Sequence, residues 1–279
     1  MFQYSFAKLL QKRTHEEIKI DLTPYKKLTR DNVRKPRILQ FQTTLPIASQ
    51  RDLDEICILR HTQNSQTNIY RMGIALEVTL NKKYFFEKNR AFRRPETLLN
   101  YQYYDGYWQS WRYVEEVWKG LRKEFVPNYE LNEMTKRSIE NIDKQNAVFV
   151  GVRRGDYTKD IGHNGIYGTD YYRKAMNYIA KRVVEPVFYI FSNDIDWCKK
   201  NLDLSGYTVI YREPEVQTSD FEELLIMASC KHAVIVNSSF HWWGAWMQQN
   251  KNKIICCPTK WWADNKPIDI EPKEWVKID

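Results

Sequence analysis

Short apolar runs, each ending in a polar cluster and separated from the next by a segment with helical spacing, fill the second half of this chain. They leave little choice of fold. The runs are 148–152, 187–191, 207–211, 233–236 and 254–257. Between them, Tyr172, Met176 and Ile179 predict a helix over about 169–182, and another is expected through Trp197, Cys198 and Leu202. A third is predicted over 220–230, with Ser219 or Asp220 as its N-cap, and a tryptophan-rich helix follows Asn237. Strands without polar alternation are buried on both faces. Their alternation with helices means βαβ units and a parallel sheet covered on both sides.

The first half is less regular. Residues 18–22 and 75–80 read as strands, and 53–59 as a helix. Phe2, Phe6, Leu9 and Leu10 share one face of an opening amphipathic helix. Residues 99–126 are rich in aromatics and turn helical from about Gln109 to Phe125. The polar stretch 128–146 is expected to hold one more helix and the domain boundary. The division taken is 1–140 as an N-terminal, acceptor-side domain and 141–279 as a C-terminal domain. A chain of 279 residues can bury one large core or two smaller ones.

Aromatic residues make up 14% of the chain, too many for a disordered one. The net charge of +8 lies in the first half: residues 1–140 carry 25 Lys and Arg against 17 Asp and Glu, whereas 141–279 carry 18 of each. A basic half suits anionic partners, but the densest patches, Arg34-Lys35-Pro36-Arg37 and Arg93-Arg94, are too short for a nucleic-acid arm. The five cysteines include no Cys-x-x-Cys pair, which argues against a zinc site and suits a reducing compartment. No run of 18 apolar residues is present, and the start lacks the features of a signal peptide, so a cytoplasmic protein is expected.

In open parallel sheets, ligands bind beyond the carboxyl ends of the strands, where loops run into helix N-termini. Three strand ends here carry polar clusters: Arg153-Arg154-Gly155-Asp156, Ser192-Asn193-Asp194 and Asn237-Ser238-Ser239. Adjacent guanidiniums offer forked donors that match phosphate oxygens. Asp156 can orient an arginine or accept a proton. Ser238 and Ser239 can present hydroxyl and backbone N–H groups to an anion. The three clusters together suggest a site for a nucleoside diphosphate. No Walker loop or Gly-x-Gly-x-x-Gly is present, which disfavours P-loop and ordinary dinucleotide folds. Each cluster also has a plainer reading. The arginines could form a surface turn, Ser238 and Asp194 could be helix caps, and Trp242, Trp243 and Trp246 could be core. Asp194-Ile195-Asp196 has the spacing of a metal clamp but leads straight into a helix. It reads as a cap, and no metal is expected.

Several stretches resemble, in order, the motifs of the α-1,2-fucosyltransferases, glycosyltransferase family 11. Val150-Gly151-Val152-Arg153-Arg154-Gly155-Asp156-Tyr157 resembles the family's His-x-Arg-Arg-x-Asp motif. Phe191-Ser192-Asn193-Asp194-Ile195-Asp196-Trp197-Cys198 resembles the second motif, and Asn237-Ser238-Ser239-Phe240-His241-Trp242-Trp243-Gly244-Ala245-Trp246 the third. Asp105-Gly106-Tyr107-Trp108-Gln109-Ser110 looks like a Gly-Tyr-Trp-Gln-Ser stretch, and Met1-Phe2-Gln3-Tyr4-Ser5-Phe6-Ala7 like the first helix.

The resemblance implies an α/β, GT-B-like fold of two Rossmann-like domains with parallel sheets. It implies inverting transfer of L-fucose from GDP-β-L-fucose to the 2-hydroxyl of a galactose-terminated glycan, without metal or other cofactor. Arg153 and Arg154 become the phosphate clamp, with Arg154 favoured, and Arg154 and Asp156 the catalytic candidates. Ser192, Asn193 and Asp194 join the donor site on the guanosine side, and Ser238 and Ser239 on the phosphate side. GDP-fucose and the glycan are the expected partners. Nucleic acid is not expected, and contact with an anionic membrane is left open. Two positions depart from the motifs: the family's histidine is Gly151 here, and its usual serine in the third motif is His241, expected to compensate in part. Family members open with a strand and a Gly-Gly-x-Gly-Asn-Gln loop just before Met-Phe-Gln, so the N-terminal domain is expected to lack its first strand. The competing expectation is an inactive or impaired sugar-nucleotide-binding remnant.

Overall fold

The computed structural model describes residues 1–26, 36–57, 68–159, 167–213, 219–263 and 268–279, without the side chains of Lys26, 68–71, Asp156 and Lys159. Arg34, Lys35 and the end of the 53–59 helix therefore lie outside the described residues. The chain forms two compact units, Met1–Asn128 with Pro267–Ile270, and Tyr129–Lys266 with Glu271–Asp279.

The first unit is built around α1 (Phe2–Thr14), whose Phe2, Phe6, Leu9 and Leu10 are buried as their spacing predicts. The Phe6 ring stacks on Trp108 at 3.9 Å between centroids. Leu98 and Tyr113 complete this cluster. Short elements follow α1: α2 (Thr23–Lys26), α3 (Gln50–Ile56) and α4 (Asn68–Leu80). A Ser49–Asp52 capping box starts α3.

Residues 75–80 are the last turns of α4, not a strand. The alternation in Leu76-Glu77-Val78-Thr79-Leu80 imitates a strand, but Ile74 and Glu77, three residues apart, are the positions that turn inward. Of the strand expected at 18–22, only a parallel bridge between Ile20 and Ile47 forms. The aromatic stretch hides a strand instead: β2 (Tyr103–Asp105) pairs in parallel with β1 (Tyr84–Phe86). The helix expected from Gln109 onward breaks at Glu116 and Val117 into α5 (Trp111–Glu115) and α6 (Trp118–Glu124). Asp269 returns to this unit, accepting from Ser110 Oγ at 3.1 Å and pairing with Arg112 Nε at 2.7 Å.

The second unit is a six-stranded, fully parallel sheet. Its strands are β3 (Asn146–Val152), β4 (Pro186–Ser192), β5 (Thr208–Arg212), β6 (His232–Val234), β7 (Ile255–Pro258) and β8 (Val276–Ile278), in the order β5-β4-β3-β6-β7-β8. The helices are α7 (Glu133–Asp143), α8 (Thr169–Ala180), α9 (Ile195–Asn201), α10 (Asp220–Ser229) and α11 (Ser239–Met247). Ala147 to Val150, Val152, Phe188 and Ile190 are fully buried, as expected for strands covered on both faces.

Glu222 closes a capping box with Ser219 at the start of α10 and accepts from Asn132 Nδ2 at 2.7 Å, tying the N-cap of α7 to α10. α7 packs on α10 and β3, so the division between units falls before it, at Asn128 and Tyr129, rather than after residue 140. Winding runs outward from β3 through β4 to β5, then returns to the other side of β3 as β6. That reversal opens the crevice at the carboxyl ends of β3 and β6. Among the described residues, no helix is long and apolar enough to cross a membrane.

Candidate functional site

The three polar clusters leave neighbouring strands at this edge, and specific bonds tie them together. The turn after β3 begins with Arg153 and Arg154 and continues into a 3-10 turn, Gly155–Lys159. The backbone N–H of Arg154 donates to Asn193 Oδ1 at 2.9 Å, joining the β3 and β4 loops. A Cβ on Gly155 would press into the Asn193 amide, so this close approach requires glycine. Tyr157 donates its hydroxyl to the carbonyl of the buried Asn237 at 3.0 Å, joining the β3 and β6 loops.

The two arginines stand in different surroundings. The Arg154 guanidinium lies against the Trp197 ring of α9, 3.8 Å from carbon to ring centre, and its Nε is buried with no hydrogen-bond partner. The Arg153 guanidinium lies 5.6 Å from the centre of the Tyr157 ring. Laid against an aromatic face, the Arg154 guanidinium can still offer N–H donors to a planar or tetrahedral anion.

Ser238 occupies the N-cap position of α11, but its hydroxyl does not cap the helix. The first-turn N–H groups of this nine-residue helix thus have no side-chain cap, and N-terminal dipoles favour anions. Ser238 is buried and Ser239 exposed. His241, in the first turn, is 5% exposed, and its Nδ1 has no partner. Burial and the nearby Arg153 charge push its pKa down to about 3, so the ring is neutral.

Other candidates are occupied locally. Asp194 Oδ1 accepts from Trp197 N–H at 3.1 Å and caps α9, while Ser192 Oγ accepts from Asp194 N–H at 2.9 Å. Asp194-Ile195-Asp196 is thus a helix start. Trp242 and Trp243 are core, with Trp242 stacked on Trp246 at 4.9 Å. The Asp156 side chain lies outside the described residues. Among the described residues, no cluster of three or more His, Cys, Asp or Glu could hold a metal. Sequence reasoning did not single out Trp197 or Tyr157 as site residues. A tryptophan or tyrosine at helical spacing reads as core, and only its placement beside an arginine shows otherwise.

Three comparisons bear on this site. The sequence model of Glycosyl transferase family 11 matches residues 1–279. The chain is 28% identical to an Alpha-1,2-colitosyltransferase of Escherichia coli, over 100% of this chain and 94% of the relative. It is 24% identical to the O-antigen biosynthesis glycosyltransferase WbnK of Escherichia coli, over 100% and 96%. It is 28% identical to Galactoside alpha-(1,2)-fucosyltransferase 1 of Ateles belzebuth, over 50% of this chain and 40% of that one. No solved structure matches it. With the family's sequence pattern matched from residue 1 to residue 279, this chain belongs to glycosyltransferase family 11 and is a glycosyltransferase.

Proposed function

We propose that the enzyme transfers L-fucose from GDP-β-L-fucose to the 2-hydroxyl of a terminal galactoside, with inversion. One observation carries the reading: the Arg153-Arg154 pair leaves β3 at the switch point of the parallel sheet, with Arg154 laid on Trp197 and its Nε unpartnered. The two-domain, GT-B-like arrangement implied by the motifs belongs to this proposal. So does a peripheral contact between the basic first half and anionic lipid, to be tested by sedimentation with acidic vesicles.

Inversion requires a single in-line displacement. The acceptor oxygen bonds to C1 of the sugar as the bond from C1 to the phosphate oxygen breaks, and GDP departs with the electron pair. Charge grows on the diphosphate in the transition state, where guanidiniums fixed in advance stabilise it most. Arg153 and Arg154 take that role, with the first turn of α11 and Ser238 and Ser239 on the same anion. Asp156 is the carboxylate the motif offers for orienting the arginines or taking the acceptor proton. Asn193 holds the Arg154 backbone, and Ser192 and Asp194 shape the guanosine side. This clamp needs no divalent ion, so chelator leaves turnover unchanged.

The test is GDP release from GDP-fucose with lactose and other galactosides. The named colitosyl relative makes GDP-colitose the second donor to try. Release with either donor, reduced on the order of 10²-fold or more by Arg154→Ala at an unchanged melting temperature, supports the clamp. No release with either donor overturns the reading, and GDP binding without turnover would mark an impaired binding module.

A further inference from the structure

The His241 ring fills the space above Gly151. A Cβ built on Gly151 would lie 2.5 Å from both Cγ and Nδ1 of that ring and 2.8 Å from Cδ2. Real Cβ atoms essentially never approach this closely, so a side chain at 151 and an imidazole at 241 exclude each other. Gly151 pairs with Phe191 deep in the sheet, two residues before Arg153, and His241 sits in the first turn of α11. The two departures from the family motifs are therefore a single exchange in space: an imidazole delivered from α11 instead of from β3.

Packing alone does not account for this choice. Phe149 and Phe240 flank the ring, with centroids 6.5 Å and 6.2 Å away, and an apolar ring would suit them better. Instead a buried nitrogen, Nδ1, is left without a partner over Gly151, two residues before Arg153 on the same strand end. Buried polar atoms are paired in nearly all native interiors, and an exception calls for a function. A neutral imidazole carries one lone-pair acceptor, and a guanidinium has five N–H donors, more than a phosphate fork uses.

We propose that His241 is a positioning residue of the donor site: its imidazole, seated over Gly151, accepts an Arg153 N–H when that guanidinium turns onto the diphosphate of the sugar nucleotide. The inference rests on the donor-site reading above and assigns the anchor that aims one arm of the clamp.

His241→Phe keeps the ring and removes the acceptor, whereas His241→Asn keeps an acceptor oxygen near the place of Nδ1. GDP binding by calorimetry and the separate kcat and KM for donor provide the readout. The Phe variant is expected to bind GDP about tenfold more weakly and raise the donor KM at an unchanged melting temperature, while Asn recovers most of the loss. A Phe variant that binds GDP like the wild type overturns the inference. Should the Phe variant fold poorly, Asn against Leu at 241 decides, since equal affinity of the two leaves no acceptor role. Gly151→His with His241→Ser moves the imidazole back to β3 and should bind GDP better than Gly151→His alone; a double variant no better than the single one also overturns it. If the wild type binds no GDP, the donor-site reading itself has failed. Wild-type binding matched by the Phe variant sinks this inference alone.

Discussion

Arg154 rests on Trp197, its guanidinium carbon 3.8 Å from the ring centre. The indole fixes the arginine without consuming its N–H groups, and a half-buried contact of this kind is worth about 1–2 kcal/mol. Trp197→Ala should therefore weaken GDP binding about tenfold, and Trp197→Phe should keep most of the affinity. Calorimetry with GDP decides, and an Ala variant with wild-type affinity would remove Trp197 from the site.

Gly155 lets the Asn193 amide approach the β3 turn. In Gly155→Ala the methyl group must push that amide away, breaking its bond to Arg154 N–H. Donor KM should rise severalfold, with a stability loss on the order of 1 kcal/mol. If the variant loses stability but keeps its KM, the bond matters only to folding.

His241 gives a pH signature. Burial and then Arg153 lower its pKa to about 3 from an ordinary 6.5. The unfolded chain takes up a proton as pH falls below about 6.5 while the folded one does not, so stability drops by up to about 1.4 kcal/mol per pH unit until about pH 3. His232, also lowered by burial, acts in the same direction. Because His232 is present in both proteins, comparing melts of wild type and His241→Phe from pH 7 to 4 isolates His241. The variant should show the shallower decline, and parallel curves would refute the assignment.

Glu124 anchors the first unit. Its carboxylate accepts from Tyr4 and from Thr44 Oγ1 and pairs with Lys8 at 2.9 Å. Burial pushes its pKa up, but the bonds from Tyr4 and Lys8 prevail and hold it below the ordinary 4.5. A depressed carboxyl contributes stability above about pH 4.5 that fades as pH falls through its folded value. Glu124→Gln should cost about 1–3 kcal/mol at pH 7 and less in acid. Denaturant melts at both pH values test this, and a cost that does not shrink in acid contradicts it.

The sheet of the second unit was legible because a parallel strand buried on both faces becomes an unbroken apolar run, as in 148–152 and 187–191. β8 has only three residues, and β1 and β2 lie among aromatics, so no period marks them. Residues 75–80 misled because a helix whose exposed side carries Leu76 and Leu80 shows the same alternation as a strand. The candidate site was legible only through the coincidence of three polar clusters at strand ends, each of which has a plainer reading by itself. The contacts of Arg154 with Trp197 and of Gly151 with His241 join segments more than forty residues apart. Only the folded chain brings them together.

Pro267–Ile270 belongs with the first unit, while the residues on either side belong with the second. Recombination between members of this family thus meets an unusual rule. A chimera joined once, near Asn128, gives one parent's Arg112 and Ser110 the other parent's Asp269 as partner, while β8 arrives downstream of that excursion. Exchanging whole units takes three junctions, and shuffled libraries built with single crossovers will recover few folded transferases.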